Sequence, residues 1–230
     1  MAVVFITGVS KGIGRKTAQL FVERGHEVYG CCRSEASVPG VKKVFSCDVR
    51  SYEGIEDCAR HIKEVEGHCD ALINNAGISR DRTVGKMTLE EWQAVIETNL
   101  FGMHNNTKAF LPLLKESSAA AIVNIASVVA ERGAYGQANY GASKAGVMGY
   151  SRSCALEFAK HGIRVNSVIP GYIDTSMTES MPETVRSTIL KSVPLGRLGM
   201  PLEVAEIVYF LASSRASFVT GSHYEVTGGL

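Results

Sequence analysis

The 230-residue chain has little of what marks a metalloprotein, a nucleic-acid binder or a membrane protein. Its six cysteines (Cys31, Cys32, Cys47, Cys58, Cys69, Cys154) form no CxxC pair. No two of its six histidines fall at helical ligand spacing, so no metal site is expected. A formal net charge of +1 offers no basic field to nucleic acid or anionic lipid, and neither is expected as a partner. No apolar run approaches the roughly 20 residues of a membrane span. Met1 leads straight into Ala-Val-Val-Phe-Ile, without the basic start and cleavage site of a secretory signal, and the run reads as a first strand. The cysteines read as reduced, mostly buried thiols of an intracellular protein. Adjacent Cys31-Cys32 either packs in the core or is redox-sensitive. The cytoplasm is the expected compartment, with the mitochondrial matrix or another organelle as the alternative.

What the chain does have is 45% hydrophobic residues, enough for one sizeable core and a single domain over 1–230. Strand-like runs at 2–6, 26–32, 43–47, 70–73, 121–125, 163–169 and 222–226 alternate with amphipathic helices. That order predicts an α/β fold with a doubly wound parallel seven-stranded sheet, whose ligands bind at the carboxyl ends of the strands. Residues 34–42 hold Pro39 and Gly40, so the second crossover carries little helix. Thr88 reads as a helix N-cap with Glu91 completing a capping box. From there a helix runs toward Asn99 and a long one continues to about Lys115. Residues 176–200, with Pro182 and Pro194, read as a mobile lid over the substrate.

The polar loops fall at those carboxyl ends. Thr7-Gly8-Val9-Ser10-Lys11-Gly12-Ile13-Gly14 follows the first strand and opens a helix, the context of a phosphate-binding turn. The second strand ends at Arg33, which with Lys11 makes a two-cation site for a ribose 2′-phosphate, as in NADPH. Glu35 is the alternative, an acid for the free ribose of NADH. Asn74-Asn75-Ala76-Gly77 follows the fourth strand, and Ser127 the fifth. Each of Asn99 and Ser127, read alone, is more simply a structural group.

Tyr140 and Lys144 stand one helical turn apart in Asn139-Tyr140-Gly141-Ala142-Ser143-Lys144. Downstream Val147, Tyr150, Leu156 and Phe158 recur at roughly helical spacing. A free phenol has a pKa near 10, and a cation one turn away favours the phenolate, so the pair reads as a tuned proton donor. Small residues on this helix (Gly141, Ala142, Ala145, Gly146, Gly149) suggest packing against a second subunit.

Taken together, Thr7-Gly8-xxx-Gly12-x-Gly14, Asp48, Asn74–Gly77, Asn99, Ser127, Tyr140-xxx-Lys144 and Pro170-Gly171 resemble the short-chain dehydrogenase/reductase family over nearly the whole chain. Segments such as NNAGISRD (74–81), GQANYGASK (136–144) and PLGRLG (194–199) are similar to its 3-oxoacyl-(acyl-carrier-protein) reductases and to the related eukaryotic carbonyl reductases. The resemblance implies a Rossmann-type oxidoreductase and a homotetramer. The reaction implied is NADPH-dependent reduction of 3-oxoacyl thioesters in fatty-acid synthesis, on acyl carrier protein or not. A carbonyl or quinone reductase of small substrates is the alternative, and a non-catalytic cofactor-binding subunit a third.

It also implies roles. Tyr140 would protonate the carbonyl oxygen, Ser127 would hold that oxygen, and Gln137 would join them at the substrate. Lys144 would lower the Tyr140 pKa and bond the nicotinamide ribose, and Asn99 would fix a water that relays protons to Lys144. Gly8, Ser10, Lys11, Gly12, Ile13, Gly14 and Arg33 would hold the NADPH phosphates. Asp48 would meet the adenine, Asn75 the adjoining ribose, and Ile173 the nicotinamide amide through its backbone. Val49, Ala76, Gly77, Pro170, Gly171 and Thr175 complete the cofactor contacts. The segment 117–121 lacks the basic residues that carrier-protein reductases present, which leaves Arg80, Arg82, Arg132 and His161 to meet an acidic carrier.

Overall fold

The computed structural model describes residues 1–179 and 183–230. Seven strands, β1 (Val3–Thr7), β2 (Glu27–Cys32), β3 (Lys43–Ser46), β4 (Ala71–Asn74), β5 (Ala121–Ile125), β6 (Arg164–Pro170) and β7 (His223–Val226), form one sheet. Its order is β3-β2-β1-β4-β5-β6-β7 and every pairing is parallel. The direction of winding reverses between β1 and β4, which opens a crevice at their carboxyl ends.

The pleat of β1 explains the layers. Val3 and Phe5 point to one face, where Phe5 stacks on Phe110 of α4 (Gly102–Lys115) with ring centroids 4.3 Å apart. Val4 and Ile6 point to the other, against Phe21 of α1 (Gly12–Glu23) and Leu211 of α9 (Pro201–Ala212). Both faces are covered, which is why these strands read as continuous apolar runs rather than alternating ones. Between β2 and β3 residues 33–42 carry no helix, and only Val38 of that stretch is buried.

Helix α2 (Tyr52–Glu66) starts at Ser51, whose hydroxyl accepts the Gly54 N–H at 3.1 Å. In α3 (Leu89–Ile96) the expected capping box is present: Thr88 accepts from Glu91 N–H at 3.2 Å, and the Glu91 carboxylate accepts from Thr88 N–H at 3.1 Å. The helix does not simply run on, however. One π-helical turn, Glu97–Phe101, is inserted before α4, with Asn99 buried at its centre. Such turns re-aim a side chain at a functional site, and residue type alone gives little warning of them.

The short α5 (Val129–Arg132) precedes α6 (Ala138–Phe158), which carries Tyr140 and Lys144 as expected. Its buried face runs through Ser143, Val147, Ser151, Cys154 and Phe158. Leu156 is not on it: the side chain is 83% exposed, so its place in the apolar spacing was coincidental. Gly146 is needed within the chain, because a Cβ there would come within 2.9 Å of Leu100. Gly149 faces open space. After β6, residues 176–200 hold α7 (Ser176–Glu179) and α8 (Glu183–Ser192), with Ile189, Val193 and Leu198 in a small cluster of their own. Residues 180–182 of the expected lid, Pro182 among them, lie outside the described residues.

Candidate active site

A cleft of about 310 Å³ opens at the carboxyl ends of β1, β2, β4, β5 and β6. Its floor is fastened by side chains. The Thr7 hydroxyl accepts the backbone N–H groups of Asn75 and Ala76, both at 3.0 Å. The Asn75 amide returns the contact, donating to the carbonyls of Thr7 (2.9 Å) and Gly8 (3.2 Å). Backbone here meets backbone without room for side chains: a Cβ on Gly14 would lie 2.3 Å from the Gly8 carbonyl oxygen and from Asn75 Nδ2. Gly8 adopts φ +75°, which L side chains rarely reach. Gly14 therefore does not line the cleft; it lets the loop close so that the first turn of α1 can face it.

The expected phosphate-binding residues Gly8, Ser10, Lys11, Gly12 and Ile13 line one end, with Arg33, Asp48 and Val49 beside them. Lys11 and Arg33 are exposed, and neither makes an ion pair among the described residues. Glu35 does not reach the cleft wall. The Asp48 carboxylate is held by the Arg50 guanidinium at 2.8 Å, which keeps its pKa below the usual carboxylate range. An oriented loop at a helix N-terminus and two exposed cations suit a dinucleotide phosphate. Asn75, Ala76, Gly77, Pro170, Gly171, Ile173 and Thr175 line the middle of the cleft.

At the far end stand Ser127, Gln137, Tyr140 and Lys144. Ser127 is buried at the β5 terminus, its Oγ accepting the Val129 N–H at 3.3 Å. Ser127 Oγ stands close enough to the Tyr140 hydroxyl to favour its phenolate, yet burial outweighs this and pushes the Tyr140 pKa above its usual 10. Lys144 is buried, its Nζ donating to the Ile125 carbonyl at 2.7 Å and lying 5.7 Å from the Tyr140 ring centroid. Burial lowers its own pKa to about 8. In the protein by itself burial sets the direction of the Tyr140 shift, while the Lys144 ammonium is desolvated and its Nζ turned to the Ile125 carbonyl.

Asn99 does not line the cleft. Its amide is taken up behind the wall, accepting from Ile78 N–H (2.8 Å) and donating to the Ile78 carbonyl (3.0 Å) and to Ser143 Oγ (3.0 Å). The Ser143 hydroxyl donates in turn to the Tyr140 carbonyl at 2.7 Å. Gly77 lets the two groups converge, since a Cβ there would lie 3.2 Å from Asn99 Oδ1 and 3.5 Å from Lys144 Nζ.

Sequence reasoning missed Ser143, though its place one turn from Tyr140 was a signal. It also missed Asp81, which accepts from Gln137 Nε2 at 2.7 Å and whose charge opposes ionisation of Tyr140. Cys47, Ile78 and Tyr172 line the cleft as well. Among the described residues no cluster of potential metal ligands occurs, and no helix is long and apolar enough to cross a membrane.

Comparison with known proteins agrees with this geometry. A profile of the family described as Enoyl-(Acyl carrier protein) reductase matches residues 8–230. The chain is 41% identical to 3-oxoacyl-(acyl-carrier-protein) reductase FabG of Vibrio harveyi, over 99% of this chain and 96% of that one. It is 42% identical to an acetoacetyl-CoA reductase of Shinella zoogloeoides, over 99% and 97%. The ligand-free structure of Thermoplasma acidophilum aldohexose dehydrogenase superposes with a TM-score of 0.93 at 35% identity, covering 100% of this chain and 93% of that one. With its parallel sheet, glycine-rich first turn and Ser127, Tyr140 and Lys144 gathered at one end of a single cleft, the chain is an oxidoreductase that belongs to the short-chain dehydrogenase/reductase family.

Proposed function

We propose that the chain reduces 3-oxoacyl thioesters to 3-hydroxyacyl thioesters with NADPH, as a step of fatty-acid synthesis. The observation that carries this is the approach of two hydroxyls, Ser127 and Tyr140, at one end of a cleft whose other end holds Lys11 and Arg33. Two donors aimed at one point suit a carbonyl oxygen on its way to an alkoxide. The FabG and acetoacetyl-CoA relatives supply the substrate class.

NADPH, when bound, supplies the hydride. Ser127 holds the substrate oxygen by a hydrogen bond, and Tyr140 gives it a proton. The Tyr140 phenol is protonated before the transfer, as a donor requires, and because burial makes it a weaker acid the transfer draws on the charges around it. Lys144, still largely cationic at neutral pH, bonds the nicotinamide ribose and offsets the charge left on Tyr140. Asn99 and Ser143 act through Ile78 and the Tyr140 carbonyl, positioning the wall that faces the substrate. Gln137, anchored by Asp81, stands at the substrate's mouth.

Exposed Phe101 and Leu156 on the π turn and α6 support a homotetramer built on these helices, and a cytoplasmic location matches the reading. One observation favours a second substrate class. The segment 117–121 offers no cation to an acidic carrier, as a reductase of free carbonyls or quinones would not need one.

The test is NADPH oxidation with acetoacetyl-CoA, with the same acyl group on carrier protein, with 9,10-phenanthrenequinone and with crotonyl-CoA. Turnover of the oxo thioesters, improved by the carrier, is the expected result. Rapid quinone reduction without thioester turnover would replace it with the carbonyl-reductase reading, and turnover of crotonyl-CoA alone with double-bond reduction.

A further inference from the structure

Residues 80–82 and 136–139 form a clasp beside the substrate end of the cleft. Arg82 N–H donates to the Gly136 carbonyl at 2.7 Å, Gln137 Nε2 to Asp81 Oδ2 at 2.7 Å, and Asn139 Nδ2 to the Arg80 carbonyl at 3.0 Å. The contacts run in reverse order along the two segments, which holds them in one register. The other Asp81 oxygen accepts from Ser79 Oγ, so the carboxylate is itself fixed. Asn139 is fully buried, and its Oδ1 accepts the Tyr140 N–H at 2.7 Å, which ties the clasp to the proton donor.

The clasp decides which way round the Gln137 amide stands. An ionised carboxylate only accepts hydrogen bonds, so the NH₂ end of the amide faces Asp81 and Oε1 is the end left over. Oε1 has no hydrogen-bond partner among the described residues. The Arg82 guanidinium beside it is engaged by Glu91 at 3.1 Å. Gln137 therefore offers a ligand an acceptor next to a carboxylate, a setting for a neutral N–H or O–H donor rather than an anion. Gln137 and Val129 also line a neighbouring hollow of about 470 Å³, together with Ala130, Gly133, Gly141 and Ala142. These two residues form the sill between the cleft and that hollow, so a substrate arm that crosses the sill meets Gln137.

We propose that Gln137 Oε1, presented by Asp81, accepts the amide N–H of the substrate's thiol arm, the amidoethyl group that coenzyme A and carrier-protein thioesters share. This rests on the thioester reading above. The amide N–H is joined to the thioester sulfur by an ethylene link, close to the carbonyl that Ser127 and Tyr140 hold. Gln137 is thus a specificity-determining residue, favouring thioesters of amide-bearing thiols over carbonyl compounds that have no donor there. Asp81 is a positioning residue: it acts by fixing the amide, not by touching the substrate.

The test compares acetoacetyl-N-acetylcysteamine with its N-methyl analogue, in which a methyl replaces the donor hydrogen, by NADPH oxidation with the full chain. Wild type is expected to prefer the N–H compound by about fivefold to tenfold in kcat/KM, the equivalent of one neutral hydrogen bond. Gln137→Met removes the acceptor at similar volume and is expected to bring the two compounds within about twofold. Asp81→Asn, which frees the amide to turn over, is expected to shrink the preference, whereas a merely structural defect would slow both compounds alike. A preference that survives Gln137→Met is a steric effect of the methyl group and overturns the proposal, and one unmoved by Asp81→Asn overturns the positioning role. Acetoacetyl-CoA and acetoacetyl carrier protein bear the same arm, so Gln137→Met is expected to lower kcat/KM on both by the same factor. A loss on the carrier alone would assign Gln137 to carrier docking and overturn the proposal. No turnover of any of these thioesters overturns the reaction proposed above, and the arm site with it.

Discussion

The Asn99 side chain pairs with the Ile78 backbone in both directions, accepting its N–H at 2.8 Å and donating to its carbonyl at 3.0 Å. An amide side chain here imitates a strand neighbour, and it can do so because a π turn aims it inward. Asn99→Ala leaves both Ile78 groups and Ser143 Oγ short of a partner in a buried place. The expected cost is about 2 to 3 kcal/mol in urea denaturation, with turnover falling alongside because the wall over Tyr140 loosens. Asn99→Asp keeps the acceptor but sets a carboxylate oxygen against the Ile78 carbonyl in a buried place, and should cost at least as much.

Tyr140→Phe keeps the ring's volume and removes the proton. We expect kcat to drop by about 10²- to 10⁴-fold, the usual size of a general-acid contribution. The NADPH dissociation constant should stay within about twofold by fluorescence titration. Surviving turnover would show that another group protonates the product.

Arg33→Glu should weaken NADPH binding about ten- to a hundredfold, the equivalent of one charge-assisted hydrogen bond, and leave NADH binding nearly unchanged. Parallel titrations with the two cofactors check it. An equal loss for both would mean that Arg33 supports the loop rather than the 2′-phosphate.

Lys144 has a folded pKa of about 8 against an ordinary 10.5. Between those values the unfolded lysine holds its proton and the folded one does not, so this group makes the protein more stable as pH rises through that window. The buried cysteines, whose pKa values are raised, contribute the opposite slope above pH 9. The informative quantity is therefore the difference from Lys144→Met, which should grow in favour of wild type by up to about 3 kcal/mol from pH 8 to pH 10.5. Chemical denaturation at several pH values measures it.

Gly14→Ala forces a methyl against the Gly8 carbonyl and the Asn75 amide. Overpacking of this kind costs about 1 to 3 kcal/mol, and it strikes at the loop that faces the phosphates. Thermal unfolding and NADPH titration should both worsen. Gly67→Ala, with nothing within 4 Å of the added carbon, should worsen only the first.

The strands were legible because both faces of the sheet are covered, which writes apolar runs such as Val3–Ile6 plainly into the chain. The capping box at Thr88 was legible because its hydrogen bonds are local. The π turn was not, since Glu97–Phe101 carries no residue that ordinary helix would refuse. Spacing put Tyr140 beside Lys144, but it could not report that the ammonium turns to Ile125 or that enclosure governs the phenol. Nor could it separate Cys47 from five other cysteines, because exposure to the cleft is decided by β3 and α2 together.

The crossover without a helix, residues 33–42, leaves β3 as a half-covered rim of the sheet. An open rim invites edge-to-edge aggregation between copies. Lys42 and Lys43 stand at its start, and Lys43 Nζ sits 4.8 Å from the Phe45 ring centroid, placing a charge over the apolar residue that a foreign strand would seek. Neutralising these two lysines should therefore show first as lost solubility on storage, with catalysis and unfolding temperature still intact.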